Sequence, residues 1–152
     1  MRILLWANQP GQAGSWAIAF LSHGNITHGG FQRSNGKVHE LSPPGVHDRD
    51  LTDEERPYVH AFRLYGVTPQ MEGQLERLFD LNIAAGIAYS YEDLFKYLFN
   101  VPMDGDQESF CTRYVFHCLG MCRCPMPLVR CSENVAIPFA FWISPLLIEE
   151  PL

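Results

Sequence analysis

A histidine early in the chain and a cysteine late in it could together supply a nucleophile and its base. His28 lies in segment 26–31 (ITHGGF), which predicts a strand entering a β-hairpin. Cys111 lies in segment 109–116 (SFCTRYVF), which predicts the first turn of an amphipathic helix. A thiol attacks as the thiolate, and both a helix N-terminus and a nearby imidazole lower the pKa of a thiol. The pair therefore indicates nucleophilic catalysis by Cys111 with His28 as the base, if the fold brings them together.

Each of these residues also has a simpler interpretation. A cysteine on the inner face of a helix is often a small buried apolar residue, and Cys118 shares the face of Cys111. His28 could be an ordinary surface histidine. Acidic residues precede the helix, and close to the sulfur they would raise the pKa of the thiol. These are Asp104, Asp106 and Glu108.

A catalytic imidazole usually needs a third group that fixes its tautomer, and the returning strand of the hairpin offers His39 and Glu40. A two-residue turn at 35–36 would place His39 on the His28 face of the hairpin. A three-residue turn at 34–36 would place Glu40 there instead. Both turns suit the sequence, so the pattern alone leaves the choice open.

Periodicity and turn signals predict the elements that must position these residues. Expected strands cover 1–7, 26–33, 37–42 and 58–65, and expected helices cover 14–21, 69–85, 91–99 and 108–119. Segment 47–55 is expected to be an acidic loop. The helix over 69–85 presents one apolar stripe, formed by Met71, Leu75, Leu78, Phe79 and Ile83. With strands mostly early and helices mostly late, the chain is expected to be one α+β domain over residues 1–152.

Composition bounds the class of protein. A chain of 152 residues, 47% hydrophobic and 18% charged, is globular and can bury a core without disulfides or metal. The net charge of -6 and the lack of a basic run argue against a nucleic-acid partner. We expect no transmembrane segment and no secretory signal, because the apolar stretches are short. An odd number of cysteines without an export signal favours a cytoplasmic location.

The other candidate ligands and apolar segments favour ordinary structural interpretations. The later cysteines are spaced irregularly for a structural zinc site, so we expect buried or free thiols and no metal. They are Cys118, Cys122, Cys124 and Cys131. Four further histidines are expected at the surface: His23, His47, His60 and His117. The aromatic segment 138–143 (PFAFWI) is expected to pack as core, or to face a lipid if it is exposed.

The order of the motifs resembles the circularly permuted, papain-like NlpC-type cysteine hydrolases. That group includes the YiiX-like bacterial proteins and the lecithin:retinol acyltransferase-like enzymes. In this family the polar third residue follows the histidine at the spacing of Glu40 rather than His39. Gly29 and Thr112 differ from the residues usual in the family. The similar segments are 27–31 (THGGF), 35–36 (NG), 38–43 (VHELSP), 89–94 (YSYEDL) and 110–115 (FCTRYV).

The resemblance implies a papain-like, circularly permuted α+β fold with a small antiparallel sheet packed against helices. It implies that the Cys111 thiolate attacks an acyl carbon, that His28 transfers the proton, and that Glu40 orients the imidazole. The backbone N–H of Cys111 would stabilise the oxyanion. Tyr89 and Tyr91 would either flank the substrate or belong to the core.

The implied reaction is hydrolysis of an amide bond, in a peptide or peptidoglycan-type substrate, through an acyl-enzyme and without a cofactor. The same residues would serve a thioesterase or a lipid acyl hydrolase or acyltransferase. A non-catalytic binding module on the same fold is the third hypothesis. The sequence leaves the oligomeric state open.

Overall fold

The computed structural model describes residues 1–9, 25–98, 111–125 and 146–152. Several sequence expectations lie outside these residues. They concern the helix over 14–21, the acidic residues before Cys111, His23, Cys131 and the aromatic segment 138–143.

Six antiparallel strands form one sheet. The strands are β1 (Arg2–Ala7), β2 (Ile26–Gln32), β3 (Val38–Ser42), β4 (Gly45–Arg49), β5 (Val59–Leu64) and β6 (Leu147–Glu150). Their order across the sheet is β4-β3-β2-β1-β5-β6, and every neighbouring pair is antiparallel. The strands expected to carry His28 and Glu40 are therefore direct neighbours in the middle of the sheet.

Three α-helices are described: α1 (Pro69–Ala85), α2 (Tyr91–Leu98) and α3 (Cys111–Met121). The ends of α1 lie where the sequence predicts them. Thr68 caps the first turn, since its hydroxyl accepts a hydrogen bond from the backbone N–H of Met71 at 3.3 Å. Gly86 ends the helix in the left-handed region, with φ of 64°. The 3-10 turn Arg56–Tyr58 precedes β5.

The larger core lies between one face of the sheet and helices α1 and α3. Leu5 and Phe31 from the sheet pack there against Phe79 of α1 and Tyr114 and Val115 of α3. A smaller cluster covers the opposite face of the sheet, and its members are Leu4, Trp6, Val38, Val59 and Ala61. The expected α+β class, with an antiparallel sheet packed against helices, is confirmed.

Three details of the expected elements are wrong. Segment 45–49 is the strand β4 and not part of a loop, because its polar side chains bind buried partners on β3. The strand β6 was not expected, because it is a short edge strand rich in acidic residues. On α1, the predicted apolar stripe places Ile83 in the core, but the Ile83 side chain is 38% exposed. Asn82 is buried instead.

Asn82 is buried because it belongs to a polar network inside the larger core. The ring of His39 is fully buried, donates from Nδ1 to Asp48 Oδ1 at 2.7 Å, and accepts at Nε2 from the Tyr114 hydroxyl at 2.7 Å. Asn82 Nδ2 donates to the same hydroxyl at 2.8 Å. Burial lowers the pKa of His39, although Asp48 opposes the shift, so the ring is neutral and both of its nitrogens are satisfied.

Removing the Tyr114 hydroxyl should destabilise the fold. Tyr114→Phe would leave an acceptor on His39 and a donor on Asn82 without their buried partner, at a cost of about 1–3 kcal/mol. Urea unfolding followed by circular dichroism measures the change. The matched control is Tyr65→Phe, because the Tyr65 side chain is 64% exposed. Equal stability of the two variants would contradict the network's contribution.

Candidate active site

The hairpin between β2 and β3 has the three-residue turn. Arg33 pairs with Lys37 across it, and the Arg33 N–H donates to the Lys37 carbonyl at 2.8 Å. Gly36 has φ of 85°, which only glycine adopts without strain. The loop is therefore residues 34–36, one of the two alternatives that the sequence allows.

This turn decides which residue of β3 faces His28. The ladder pairs Phe31 with His39, so Glu40 lies opposite Gly30. Because side chains alternate along a strand, Glu40 shares a face with His28 and His39 points into the larger core. His39 is thus bound to Asp48 and Tyr114 and has no contact with the His28 ring.

His28 and Glu40 form a direct contact. His28 Nε2 lies 3.0 Å from Glu40 Oε2, and the carboxylate side chain is only 3% exposed. A side chain at Gly30 would obstruct this approach, since a Cβ there would lie 3.2 Å from the Glu40 Cβ and 3.0 Å from the His39 carbonyl oxygen. The His28 ring also lies against the Trp6 indole, with centroids 4.9 Å apart. Packing and hydrogen bonding together fix the orientation of the imidazole.

Cys111 is the first residue of α3, and its thiol lies at the His28 ring. The thiol and the ring are hydrogen-bonded, and the sulfur also accepts from the backbone N–H groups of Gly29 and Thr112. Because Glu40 occupies Nε2, the nitrogen left for the thiol is Nδ1. The structure therefore brings Cys111, His28 and Glu40 into one continuous chain of contacts.

An opening between β2 and β3 makes room for the thiol. The ladder between these strands ends at the Phe31–His39 pair, and the part of β2 that carries His28 continues beyond it. The Gly29 N–H in that part of β2 reaches the sulfur instead of a carbonyl of β3. The N-terminus of α3 can approach there because Gly29 has no side chain. A Cβ at this position would lie 3.3 Å from Thr112 Cγ2.

Gly29 and Thr112 are two positions at which the sequence differs from the pattern of the family that its motifs resemble. They face each other at the contact between β2 and α3. A smaller residue on the strand accommodates the branched residue on the helix. The two differences therefore fit each other and keep the helix close to the strand.

The electrostatics of the site favour an ion pair. Burial raises the pKa of the Cys111 thiol, but His28 and the two backbone N–H groups outweigh this effect and lower that pKa below its usual value. Burial lowers the pKa of His28, but Cys111 and Glu40 outweigh it and raise that pKa to about 10. At pH values between the two pKa values, a thiolate faces an imidazolium. A thiolate is the form of cysteine that attacks an acyl carbon.

The two tyrosines differ in their position relative to the thiol. Tyr89 is half-buried, and burial and then the negative charge on Cys111 raise the pKa of its hydroxyl, so the ring lies within electrostatic range of the sulfur. Tyr91 contacts Tyr89 edge-on, with ring centroids 5.1 Å apart, and is 66% exposed. Of the two, Tyr89 therefore interacts electrostatically with the thiol, and Tyr91 interacts with Tyr89.

Arg49 is the residue of this site that sequence reasoning missed. Its Nε donates to Glu40 Oε1 at 2.9 Å, and Ser42 Oγ donates to the same oxygen at 2.9 Å. It was missed because segment 47–55 was expected to be a loop. A signal was present: a tight turn at 43–44 would have made residues 45–49 a strand paired with β3, with Arg49 diagonal to Glu40.

The later cysteines and the other histidines are the remaining candidate ligands in the sequence. In the parts of the chain that the structure describes, no three His, Cys, Asp or Glu side chains are grouped so that they could hold a metal. Cys118, Cys122 and Cys124 are buried thiols, and burial is the first cause that raises the pKa of Cys124 to about 11. Among the helices described, none has the length and apolar character needed to cross a membrane.

Comparisons with known proteins give a likeness of fold. No protein-family model and no curated protein matches the sequence. Among solved structures, the crystal structure of the metalloprotein YiiX from Escherichia coli O157:H7, DUF1105, matches with a TM-score of 0.69. The match covers 97% of this chain and 94% of that chain, at 14% sequence identity. The protein therefore shares its fold with YiiX, in agreement with the resemblance of the motifs at the level of fold.

Replacing the carboxylate next to His28 should weaken the ion pair. Glu40→Gln keeps the size of the side chain and removes the charge that stabilises the imidazolium. We expect the apparent pKa of Cys111, measured by alkylation rate against pH, to rise by about one unit or more. His39→Gln is the matched control, because His39 lies on the other face of β3. His39→Gln should reduce the stability of the fold and leave the pH dependence of Cys111 alkylation unchanged. A shift of that pH dependence in His39→Gln but not in Glu40→Gln would contradict the assigned geometry.

Proposed function

We propose that the protein is a cysteine hydrolase of the circularly permuted papain-like type, which cleaves an amide bond through Cys111, His28 and Glu40. The observation that supports this most strongly is the buried sequence of contacts from thiol to imidazole to carboxylate. The order of the motifs and the likeness of fold to YiiX support it further.

The proposed reaction begins with attack of the Cys111 thiolate on the carbonyl carbon of the substrate. The N–H of Cys111 lies at the start of α3, where a helix leaves its first amide groups without intrahelical partners. The N–H groups of Gly29 and Thr112 stabilise the sulfur, so the Cys111 N–H is the donor that we assign to the oxyanion. His28 Nδ1 then protonates the leaving amine as the C–N bond breaks.

The second half of the reaction hydrolyses the acyl-enzyme. His28, now neutral, accepts a proton from water at Nδ1 while the water oxygen bonds to the acyl carbon. The carbon–sulfur bond breaks, and the products are a carboxylic acid and the original thiolate–imidazolium pair. Glu40 keeps the ring in the required orientation in both halves of the reaction, because its carboxylate accepts a hydrogen bond from Nε2–H.

The surroundings of His28 and Glu40 support a polar substrate. A cavity of about 160 Å³ lies beside these two residues. Its other lining residues are mostly polar, and they are Trp6, Gln9, Thr27, Ser42, Arg49 and Glu55. Cys111 is not part of this lining, so the cavity receives groups next to His28 and Glu40, and there it suits the amide groups of a peptide or peptidoglycan-type substrate better than an acyl chain.

A second candidate is hydrolysis of an acyl ester or thioester, and a groove of about 400 Å³ favours it. The groove is mainly apolar, and its lining includes Pro43, Pro44, Val46, Ile87 and Ala88. Tyr89 connects the groove with the site, because its hydroxyl lies within electrostatic range of the thiol and its backbone N–H donates to the Pro44 carbonyl at 3.1 Å. An acyl chain could lie in this groove while its carbonyl carbon reaches Cys111.

YiiX is described as a metalloprotein, and we assign no metal to this chain. His28 and Glu40 bind each other, and no third donor in the described segments completes a metal site. The proposed steps therefore use the side chains and backbone of this chain. The remaining hypothesis, a binding module without catalysis, differs in one measurable property, the reactivity of Cys111.

Iodoacetamide labelling across pH tests the proposed nucleophile. The lowered pKa of Cys111 predicts selective alkylation well below pH of about 8.5, because the thiolate persists until the pH falls through that lowered pKa. Cys122 and Cys124, whose pKa values burial raises, should react slowly. Peptide mass spectrometry locates the label. In the His28→Ala variant, labelling of Cys111 should weaken at low pH. In the Cys111→Ser variant, the label at position 111 should be absent. Even labelling of all thiols would favour the binding module.

A substitution that fills the apolar groove distinguishes the two substrate classes. Ala88→Trp would fill the apolar groove, so hydrolysis of medium-chain acyl thioesters should fall about tenfold or more if the chain binds there. Hydrolysis of peptide anilides should change little. Ala84→Trp, at an exposed position of α1, is the matched control. Loss of anilide hydrolysis in Ala88→Trp would instead show that the groove receives the peptide.

A further inference from the structure

Glu40 is surrounded by donors and cations from two strands. On β2, His28 Nε2 lies 3.0 Å from Oε2. On β4, Arg49 donates from Nε to Oε1 at 2.9 Å and from Nη2 to Oε2 at 3.3 Å. His47 Nε2 lies farther away, 3.7 Å from Oε1, and its Nδ1 donates to the Gly45 carbonyl. Arg49 is thus the permanent cation that touches both oxygens of Glu40.

Arg49 is itself held in a single place. Its Nη1 and Nη2 each donate to one oxygen of Glu55 at 2.7 Å. Its guanidinium lies 5.8 Å from the centroid of the Trp6 ring, the same ring that contacts His28. A planar guanidinium that joins two carboxylates has little freedom to move. Arg49 therefore maintains its bonds to Glu40 whatever the charge on His28.

The charge on His28 changes during the proposed reaction. In the resting site the imidazolium and Arg49 both face Glu40. Once the thiol is acylated and the leaving group is protonated, His28 is neutral and the thiolate has disappeared. At that stage Arg49 is the remaining cation within hydrogen-bond distance of a carboxylate that is 3% exposed. A carboxylate buried to that degree without a cation takes up a proton near neutral pH.

The proton on Glu40 would disable the base. A protonated carboxyl donates to Nε2 of the ring, and the proton of the neutral imidazole then resides on Nδ1. Nδ1 is the nitrogen that must accept the proton of the attacking water. An ionised Glu40 accepts from Nε2–H and leaves Nδ1 free.

We propose that Arg49 is a positioning residue that keeps Glu40 ionised in the acyl-enzyme and so maintains the base-competent tautomer of His28. This inference rests on the proposed function and adds to it a specific requirement in deacylation. Arg49 touches neither the sulfur nor the acyl carbon, and it acts through Glu40. Its loss should therefore slow the second half of the reaction more than the first.

The experiment uses p-nitrophenyl acetate as an activated acyl donor. The thiolate takes the acetyl group and releases p-nitrophenolate, whose absorbance reports acylation. Because this leaving group departs as the anion, His28 loses its proton to bulk water before it acts as the base in deacylation. Intact-protein mass spectrometry then follows the decay of the acetyl-enzyme to acetate across pH. Arg49→Met removes the charge at similar length. Arg49→Lys restores a charge without the two-pronged contact. Arg33→Met is the matched control. Like Arg49, Arg33 binds more than one carboxylate, and its partners are Asp48, Glu76 and Asp80 rather than Glu40.

In Arg49→Met we expect the acid limb of the deacylation profile to move upward by about one pH unit or more. Below that limb, the acetyl-enzyme should persist about tenfold longer than in the wild type. Arg49→Lys should recover part of the shift, and Arg33→Met should lower the melting temperature without moving the limb. Partial recovery by lysine distinguishes charge from a merely structural contribution.

Two results would overturn the inference in distinguishable ways. If folded Arg49→Met deacylates with the wild-type profile, Arg49 is not required and the proposed hydrolase mechanism still stands. If Cys111 of the wild type is not acetylated at all, the proposed function fails and this inference fails with it. Should Arg49→Met not fold, Arg49→Gln provides a neutral polar variant for the same comparison.

Discussion

The site depends on a charged carboxylate that is almost completely removed from water. Burying an unpaired carboxylate costs on the order of several kcal/mol, so Glu40 can remain ionised only where other groups replace its hydration. The fold supplies those groups from both neighbouring strands: His28 from β2 and Arg49 from β4, with Ser42 from β3 itself. Each of them is positioned by a strand register, which makes the sheet order the basis of the chemistry.

The site also requires the sheet to open between β2 and β3. A regular ladder along the whole of β2 and β3 would occupy the Gly29 N–H with a carbonyl and leave no space for the end of α3. Instead, the ladder stops at the Phe31–His39 pair, and the Gly29 N–H stabilises the sulfur of Cys111. The two consecutive glycines serve different partners. Gly29 admits the helix, and Gly30 admits the carboxylate.

The face of β3 opposite Glu40 carries a second imidazole, that of His39, which contributes to the structure of the core. His39 is fully buried, its two nitrogens bind Asp48 and Tyr114, and its ring stacks on Phe79 with centroids 4.1 Å apart. Burial lowers its pKa, in contrast to His28, whose pKa is raised. One strand thus carries the partner of a charged imidazole on one face and a neutral imidazole on the other. Burial outweighs the charge of Asp48 at His39, whereas Cys111 and Glu40 outweigh burial at His28.

Most of the elements follow from local sequence, because local interactions specify them. Thr68 and Gly86 mark the ends of α1 through a side-chain cap and a left-handed φ, and both act within one turn of the helix. The candidate pair, His28 and Cys111, is also visible in sequence, since a thiol at a helix start and a histidine beside glycines are local patterns. The strand β4 was missed because its residues are polar, and their reason for being in a strand is an ionic partner on another strand.

The sequence alone determined the residue types available to the candidate site and the approximate elements that carry them. The tertiary structure decided which of them meet. The choice between His39 and Glu40 depended on one residue in a turn, and both turn lengths are common for this type of sequence. Only the assembled sheet selects between them, because the other register would place the charge of Glu40 in the larger core and the His39 ring on the His28 face of the sheet. Arg49 was not assigned from the sequence because the pairing of β3 with β4 was not expected, and its contact with Glu40 joins those two strands.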